Sequence, residues 1–239
     1  NWNNRSAPGF MHGDDEPYGS VQRVEMFNKW PAKAQITDNV GIMNRAATQD
    51  LRSPVWPIVS RVLHLGTAPS PHDQQVVDIL DDWVNRDAPR LDANPVDTFY
   101  DEAGPVIMDA LWRPIADAVM SPVFGALIPD LDNVRGLGGL EGESYVDKDL
   151  RTLLGDPVKG PFKLHYCGNG LLIDCAASLW QAVTQTADTL TTQQGQVDPS
   201  LWTKLASTTG FVPGLLPDKF LTTNRPTFQQ VLEFDRFGP

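Results

Sequence analysis

Apolar side chains recur at helical spacing in several stretches of this sequence, which predicts a helix-rich structure. Residues three and four positions apart share one face of a helix, so such a stripe marks the side that packs against a core. Residues 86–104 and 121–165 show little periodicity and are predicted to be loops, whereas 226–234 (PTFQQVLEF) alternates as a strand does. The predicted helices cover residues 37–51, 55–63, 70–84, 106–119, 174–192 and, as a short segment, 199–206.

Polar residues and prolines indicate where several of these helices begin or are disturbed. Thr37 or Asp38 is placed to cap the first helix, and Ser70 to cap the third, with Pro71 in its first turn. Pro114 lies inside the fourth stripe. Because proline lacks the N–H that a helix interior needs, we expect a kink or a break there.

Composition and charge argue against two classes of partner. The chain has 30 acidic and 19 basic residues among 239, which gives a formal net charge of −11. Such a balance repels phosphate backbones, so we expect no nucleic-acid partner. The sequence has no apolar run of the roughly 18 residues that a membrane span needs, and no basic or apolar leader. We therefore expect no transmembrane segment and no signal peptide in this chain.

Cys167 and Cys175 lie close together in the segment YCGNGLLIDC. A zinc site would need further Cys or His ligands at short spacing, and only His165 is near. A disulfide and a pair of free thiols both fit the spacing. Gly168 and Gly170 would let the chain turn back tightly, which favours the disulfide. Closing so short a loop contributes roughly 2–3 kcal/mol and would indicate an oxidising, extracytoplasmic setting.

The common sequence signatures of hydrolytic and phosphate-binding sites are missing. The sequence has no G-x-S-x-G elbow, no phosphate-binding loop and no S-x-x-K pair. Its four histidines, at positions 12, 64, 72 and 165, lack the spacing of a metal site or a catalytic triad. The residues alone therefore reveal no nucleophile–base pair.

Several blocks of the sequence are spread over nearly its whole length: NWNN (1–4), DD (14–15), GSVQRV (19–24), ATQDL (47–51), YVDKDLRTLLG (145–155), YCGNGLLIDC (166–175), ASLW (177–180) and TNRPTFQQ (223–230). These blocks resemble the penicillin acylase (penicillin amidase) family, and its actinobacterial branch in particular. Members of that family are amidohydrolases with an N-terminal nucleophile.

The resemblance implies a multi-chain enzyme. Family members cut themselves from a precursor into an α chain and a β chain, and the β chain begins with a serine whose own amine serves as base. This chain begins with Asn1, so it is similar to the C-terminal part of a β chain, with the nucleophile on an upstream piece. The implied fold is α+β: the helix-rich part of an αββα sandwich that the α chain and the N-terminal part of the β chain complete.

The resemblance assigns catalytic roles to Asn3 and Arg23. Asn3 matches the family's oxyanion-hole asparagine, where a fixed side-chain amide donates to the oxygen that becomes negative and contributes roughly 3–4 kcal/mol. Arg23 matches an arginine near the active site, which would orient the asparagine or lower the pKa of the nucleophile's ammonium group. The plainer alternatives are a turn residue for Asn3 and a surface ion pair with neighbouring acids for Arg23.

Asp14 or Asp15 matches an aspartate that binds a structural calcium ion in the family. Calcium takes several oxygen ligands, and the others would come from the missing chains. A solvated acidic loop is the alternative.

These expectations together predict the C-terminal part of an amidohydrolase that cleaves a small acylated amide outside the cytoplasm, in the periplasm, at the cell envelope or after secretion. Residues 1–30 would form an active-site loop segment, 31–165 a helical region with long loops, and 166–239 a disulfide loop, a long helix and a C-terminal strand. One alternative is a non-catalytic envelope module for binding or assembly on an acylase-like scaffold. Another is an independent helical binding domain, for which the resemblance would be accidental.

Overall fold

The computed structural model describes residues 31–93, 97–127, 143–158, 165–210 and 219–221, and the fold is given for these. They form mainly α-helices, joined by short 3₁₀ turns and accompanied by one short antiparallel strand pair. The elements are α1 (Ile36–Thr48), α2 (Trp56–Leu63), α3 (Pro71–Asn85), α4 (Gly104–Phe124), α5 (Glu143–Leu153), α6 (Leu172–Gln194), β1 (Thr208–Gly210) and β2 (Lys219–Leu221). The expectation of a helix-rich fold is confirmed.

The capping residues set the starts of α1 and α3. The Ser70 hydroxyl accepts the Asp73 backbone N–H at 3.1 Å and donates to the Asp73 carboxylate at 2.8 Å, which confirms Ser70 as a cap. In α1 the cap is Gln35, and its backbone N–H donates to the Asp38 carboxylate. The prediction of Thr37 or Asp38 as the cap was wrong, because Asp38 acts from the first turn in a reciprocal capping box.

Helices α4 and α6 pack against each other at the centre of the core, with α2 and α3 packed on α6. The predicted stripes of α2, α3, α4 and α6 are buried, whereas in α1 Val40 is exposed and Ala47 is buried. The helix α4 runs through Pro114 without a break. The stripe of α4 explains this continuity, because Ile107, Leu111, Ile115 and Val119 are all fully buried on both sides of the proline.

The structure also differs from the sequence prediction in the second half of the chain. α5 lies in the stretch predicted as loop, and it buries Val146 and Leu150. The short helix predicted over 199–206 is a single 3₁₀ turn, Pro199–Leu201, because the chain bridges to Phe99 at Leu205. β1 and β2, which the pattern did not predict, pair with Thr208 opposite Leu221. The predicted strand at 226–234 lies outside the described residues.

Candidate functional site

The four residues to which the resemblance assigns roles, Asn3, Asp14, Asp15 and Arg23, lie outside the described residues. Their arrangement stays a prediction. Within the part of the chain that the structure describes, no group of three or more His, Cys, Asp or Glu side chains is placed to hold a metal ion. The described residues contain three polar arrangements, and the hydrogen bonds of each one indicate what its side chains can do chemically.

The first arrangement is a cluster of five charged side chains, here called the charge cluster: Asp50, Arg52, Arg90, Asp109 and Lys204. The Asp50 side chain is 2% exposed. It accepts hydrogen bonds from Arg52 Nε at 2.8 Å and Arg52 Nη2 at 2.5 Å, and another from Arg90 Nη1 at 2.6 Å. A carboxylate buried this deeply needs such partners, because it has lost its water.

Asp109 of α4 is the second carboxylate of the cluster, and three cations surround it. Arg90 donates to it in bidentate fashion, with Nη1–Oδ1 at 2.9 Å and Nη2–Oδ2 at 2.7 Å. Arg52 also donates to it, and Lys204 Nζ lies 2.5 Å from its Oδ2. The bidentate pair is the geometry that a planar guanidinium forms best with a carboxylate.

The pKa values in the charge cluster follow from burial opposed by these cations. Burial alone would raise the pKa of Asp50, but the hydrogen bond and charge of Arg52 and the charge of Arg90 outweigh it and lower that pKa. For Asp109, burial is likewise outweighed by Arg90, Arg52 and Lys204, so its pKa also lies below the ordinary value. Both carboxylates are therefore ionised at neutral pH and bound to cations, and neither is free to act as a general acid or base.

A tight turn after α3 brings Arg90 into the charge cluster. Asp87 and Ala88 both adopt the left-handed conformation, with φ of 69° and 46°. The Ala88 carbonyl accepts the Asp50 N–H at 3.0 Å, and Arg90 N–H donates to the Thr48 carbonyl at 2.9 Å. The turn thus aligns the two chain segments so that Arg90 faces Asp50. Left-handed backbone at a residue with a Cβ is costly, and the buried ion pairs hold it in place.

The second arrangement joins α5 to the cysteine loop. Cys167 and Cys175 form a disulfide, which confirms that alternative over free thiols. Asp149 of α5, fully buried, accepts the backbone N–H groups of Tyr166 at 2.8 Å and Cys167 at 2.9 Å. Gly168 has a φ of 56°, and a Cβ there would lie 2.4 Å from the backbone nitrogen of Cys175, so the loop needs glycine at that position.

The third arrangement brings Ser60, His64 and Asp81 together in a way that superficially resembles a catalytic triad. His64 Nδ1 lies 2.8 Å from the Ser60 carbonyl, which can only accept, so Nδ1 carries the hydrogen and cannot serve as a base for the Ser60 hydroxyl. That hydroxyl donates to Asp81 at 3.0 Å, and Trp56 Nε1 donates to the same carboxylate at 2.6 Å. The group ties α2 to α3 and does not form a nucleophile–base pair.

Comparison with known proteins gives a structural relationship. No protein-family model matches the sequence, and no curated protein matches it. Among solved structures, thermostable penicillin G acylase from Alcaligenes faecalis matches with a TM-score of 0.63 at 14% sequence identity. The match covers 93% of this chain. The chain has an acylase-like fold. It spans 43% of the length of the penicillin G acylase chain that it matches.

Two of the sequence blocks make contacts that the structure shows. The block at 47–51 supplies Asp50 to the charge cluster, and the block at 145–155 supplies Asp149, which holds the first residues of the 166–175 block. The sequence alone does not reveal the partners of these two blocks. The contact between Ser60 and His64 is predictable from the sequence, because residues four apart meet on a helix. The charge cluster is not predictable in this way, because Asp50 and Asp109 lie on separate elements.

The helices of the described residues are not membrane spans: none joins sufficient length to a sufficiently apolar composition for crossing a bilayer.

Proposed function

We propose that this chain is the C-terminal part of the β subunit of an amidohydrolase that cleaves a small acylated amide through an N-terminal serine on a companion polypeptide. The observation that carries the proposal is the likeness to penicillin G acylase over 93% of the chain. The residue blocks NWNN, DD and GSVQRV, which resemble the chemistry-bearing segments of that family, support it. The proposed architecture is an αββα sandwich that this helix-rich part completes with the α chain and the rest of the β chain.

The proposed reaction proceeds through an acyl-enzyme. The serine oxygen attacks the amide carbonyl, and the serine's own α-amino group takes the hydroxyl proton and passes it to the departing amine. The carbonyl oxygen becomes negative at this stage, and the side-chain N–H of Asn3 donates to it. Water then attacks the acyl-serine bond and releases the acid. Arg23 orients Asn3 or the terminal amine.

We propose that the charge cluster has a structural role. The same role is proposed for the hydrogen bonds between Asp149 and the disulfide loop. Their ionised groups are bound to one another or to backbone N–H groups, so they neither donate to nor take protons from a substrate. The disulfide supports an extracytoplasmic location, because thiols are kept reduced in most cytoplasms. A structural calcium ion held by Asp14 or Asp15 belongs to the same proposal. The metal content of the purified complex tests it.

The deciding experiment identifies every polypeptide that copurifies with this chain. Intact mass and N-terminal sequencing should reveal a companion that begins with serine. The same preparation should hydrolyse chromogenic acyl amides. A sulfonyl fluoride should stop the reaction, because the serine oxygen displaces fluoride and becomes sulfonylated. A companion that begins with anything other than Ser, Thr or Cys, together with absent hydrolysis over a series of acyl lengths, would favour the non-catalytic envelope module.

A further inference from the structure

The disulfide loop contains the one Asn-Gly pair of the sequence, Asn169 and Gly170. Both residues have a positive φ, 51° and 89°, and the Leu171 N–H donates to the Gly168 carbonyl at 3.0 Å. These features are those of a type I′ β-turn with Asn169 and Gly170 as its central residues. Asn followed by Gly is the sequence that such a turn favours, so the turn explains why the pair is present.

The same pair is open to a spontaneous covalent change. The Gly170 backbone nitrogen can attack the side-chain carbonyl carbon of Asn169, so that a C–N bond forms, a five-membered succinimide ring closes, and ammonia leaves. Water then opens the ring at either carbonyl and gives aspartate or isoaspartate. A glycine leaves the attacking nitrogen unshielded because it has no Cβ. Asn169 is exposed, so water reaches it.

The folded backbone keeps the two reacting atoms apart. Asn169 has a φ of 51° and a ψ of 34°, which is the left-handed conformation. In that conformation an L-residue holds its Cβ close to its own carbonyl oxygen. The Gly170 nitrogen lies on the opposite side of the planar carbonyl carbon, so it points away from the Asn169 side chain. The ring therefore closes only after the backbone rotates about ψ of Asn169.

The contacts around the turn oppose this rotation. The disulfide between Cys167 and Cys175 closes the chain around the turn, and the buried Asp149 accepts the Cys167 N–H at 2.9 Å. A Cβ at Gly168 would lie 2.4 Å from the Cys175 nitrogen, so the start of the turn packs directly on the first turn of α6. Rotation at Asn169 consequently requires local opening of the loop.

We propose that Asn169 is a deamidation site that the disulfide loop protects, and that its conversion marks molecules in which the loop has opened. Local unfolding frees ψ of Asn169, as does reduction of the disulfide by a dithiol, which is itself oxidised. The isoaspartate product carries the main chain through the former side chain and adds one backbone atom. The type I′ turn then no longer fits the loop, so the change persists after the loop closes. This inference does not depend on the proposed function.

Peptide mapping of the complete complex by mass spectrometry tests the protection. Incubation in heavy-oxygen water labels only the carboxyl groups that form during the experiment. A free peptide of residues 165–176 with alkylated cysteines should convert Asn169 about tenfold faster than the native complex, or more, because conversion in the complex waits for loop opening. Equal rates in the peptide and the native complex would overturn the inference.

Two variants that open the loop provide the second comparison. Cys167→Ser with Cys175→Ser should speed conversion of Asn169 in the complex about tenfold or more. Asp149→Ala removes the buried acceptor while keeping the disulfide, and it should also speed conversion, which covers the case in which the serine pair does not assemble. Rates that stay at the native value in every variant that assembles would refute protection by the loop.

Two controls separate deamidation at this turn from general ageing of the protein. Asn169→Gly keeps a residue that tolerates positive φ but removes the reacting amide, so the mapped peptide should take up no label at position 169. Asn39 is exposed on α1 and is followed by Val40, whose branched side chain shields the next nitrogen. Asn39 should stay unchanged in every preparation. Equal conversion of Asn39 and Asn169 in the opened variants would also overturn the inference.

Discussion

The carboxylate of Asp149 lies beside the backbone of Cys167 and accepts its N–H at 2.9 Å. The neighbouring N–H of Tyr166 donates to the other carboxylate oxygen at 2.8 Å. One fully buried side chain of α5 thus fixes the start of the disulfide loop. Two separate sequence blocks, 145–155 and 166–175, depend on each other through this contact.

We predict that Asp149→Ala lowers the stability of the assembled protein by about 2–4 kcal/mol, because two backbone N–H groups lose their buried acceptor. Asp149→Asn should cost less, since its amide oxygen can still accept one of them. Thermal unfolding of the purified complex measures both variants. Asp188→Asn on the exposed side of α6 is the control and should change stability by under about 0.5 kcal/mol. An unchanged melting temperature for Asp149→Ala would contradict the structural role.

The charge cluster predicts that two arginines four positions apart differ in importance. Arg90 is 17% exposed, and Arg90→Ala would leave the buried Asp50 and Asp109 each short of a cation, at a cost of about 2–4 kcal/mol. Arg86, whose side chain is 51% exposed, also pairs with two acids, Asp82 and Glu102. Because water screens that network, Arg86→Ala should cost under about 1 kcal/mol. Equal losses in a denaturation series would refute the distinction.

The difference between Arg86 and Arg90 also shows what the sequence could and could not predict. Local signals predicted the helices: Ser70 with Asp73 gives the start of α3, and the buried stripe of α6 follows from its spacing. Arg90 is held by Asp50 and Asp109, which lie 40 and 19 positions away from it. Lys204 reaches the same Asp109 from 95 positions away. Such pairs form only when the fold brings distant segments together.

The missed helix α5 has a related physical cause. Its sequence, ESYVDKDLRTL, is mostly polar, and only Val146 and Leu150 form a fully buried stripe. Leu153 continues this stripe at helical spacing and packs against the core while only partly buried. Three aliphatic positions among eleven residues make a weak helical signal beside the glycines and aspartates that surround them. The buried Asp149 strengthens the point, because an acid on the core-facing side contradicts the binary pattern until its backbone partners are known.

The lowered pKa values of Asp50 and Asp109 predict a stability loss in acid. Each carboxyl ionises more readily in the folded protein than in the unfolded chain, so its contribution is fully present above the ordinary value of 3.8. As the pH falls below about 4, the unfolded chain takes up protons first and stability declines. Melting temperatures from pH 6 to pH 2.5 should fall, and Asp109→Asn should flatten that fall. A profile identical in both proteins would refute the assignment.

The disulfide should contribute to stability and resist reduction in the folded protein. Cys167 and Cys175 are both fully buried, so a mild reductant reaches the bond only after local opening. Cys167→Ser with Cys175→Ser should lower stability by roughly 2–3 kcal/mol, because the unfolded chain regains the freedom of the closed loop. After treatment with the mild reductant, maleimide labels any free thiols, and mass spectrometry counts the labels. Complete labelling of both cysteines without denaturant would contradict this prediction.

The proposed oxyanion role of Asn3 predicts a kinetic effect with a specific form. A donor that acts on charge developing in the transition state lowers kcat when removed and leaves KM nearly unchanged. Asn3→Ala should therefore reduce turnover of an acyl amide about a hundredfold to a thousandfold, which corresponds to roughly 2.7–4 kcal/mol. Asn4→Ala, which changes the adjacent amide, is the matched control and should retain most activity. Mass and melting temperature must show that both variants still assemble with the companion chain, because a merely structural Asn3 would lower assembly and rate together. A full rate in assembled Asn3→Ala protein would exclude this residue from the oxyanion site.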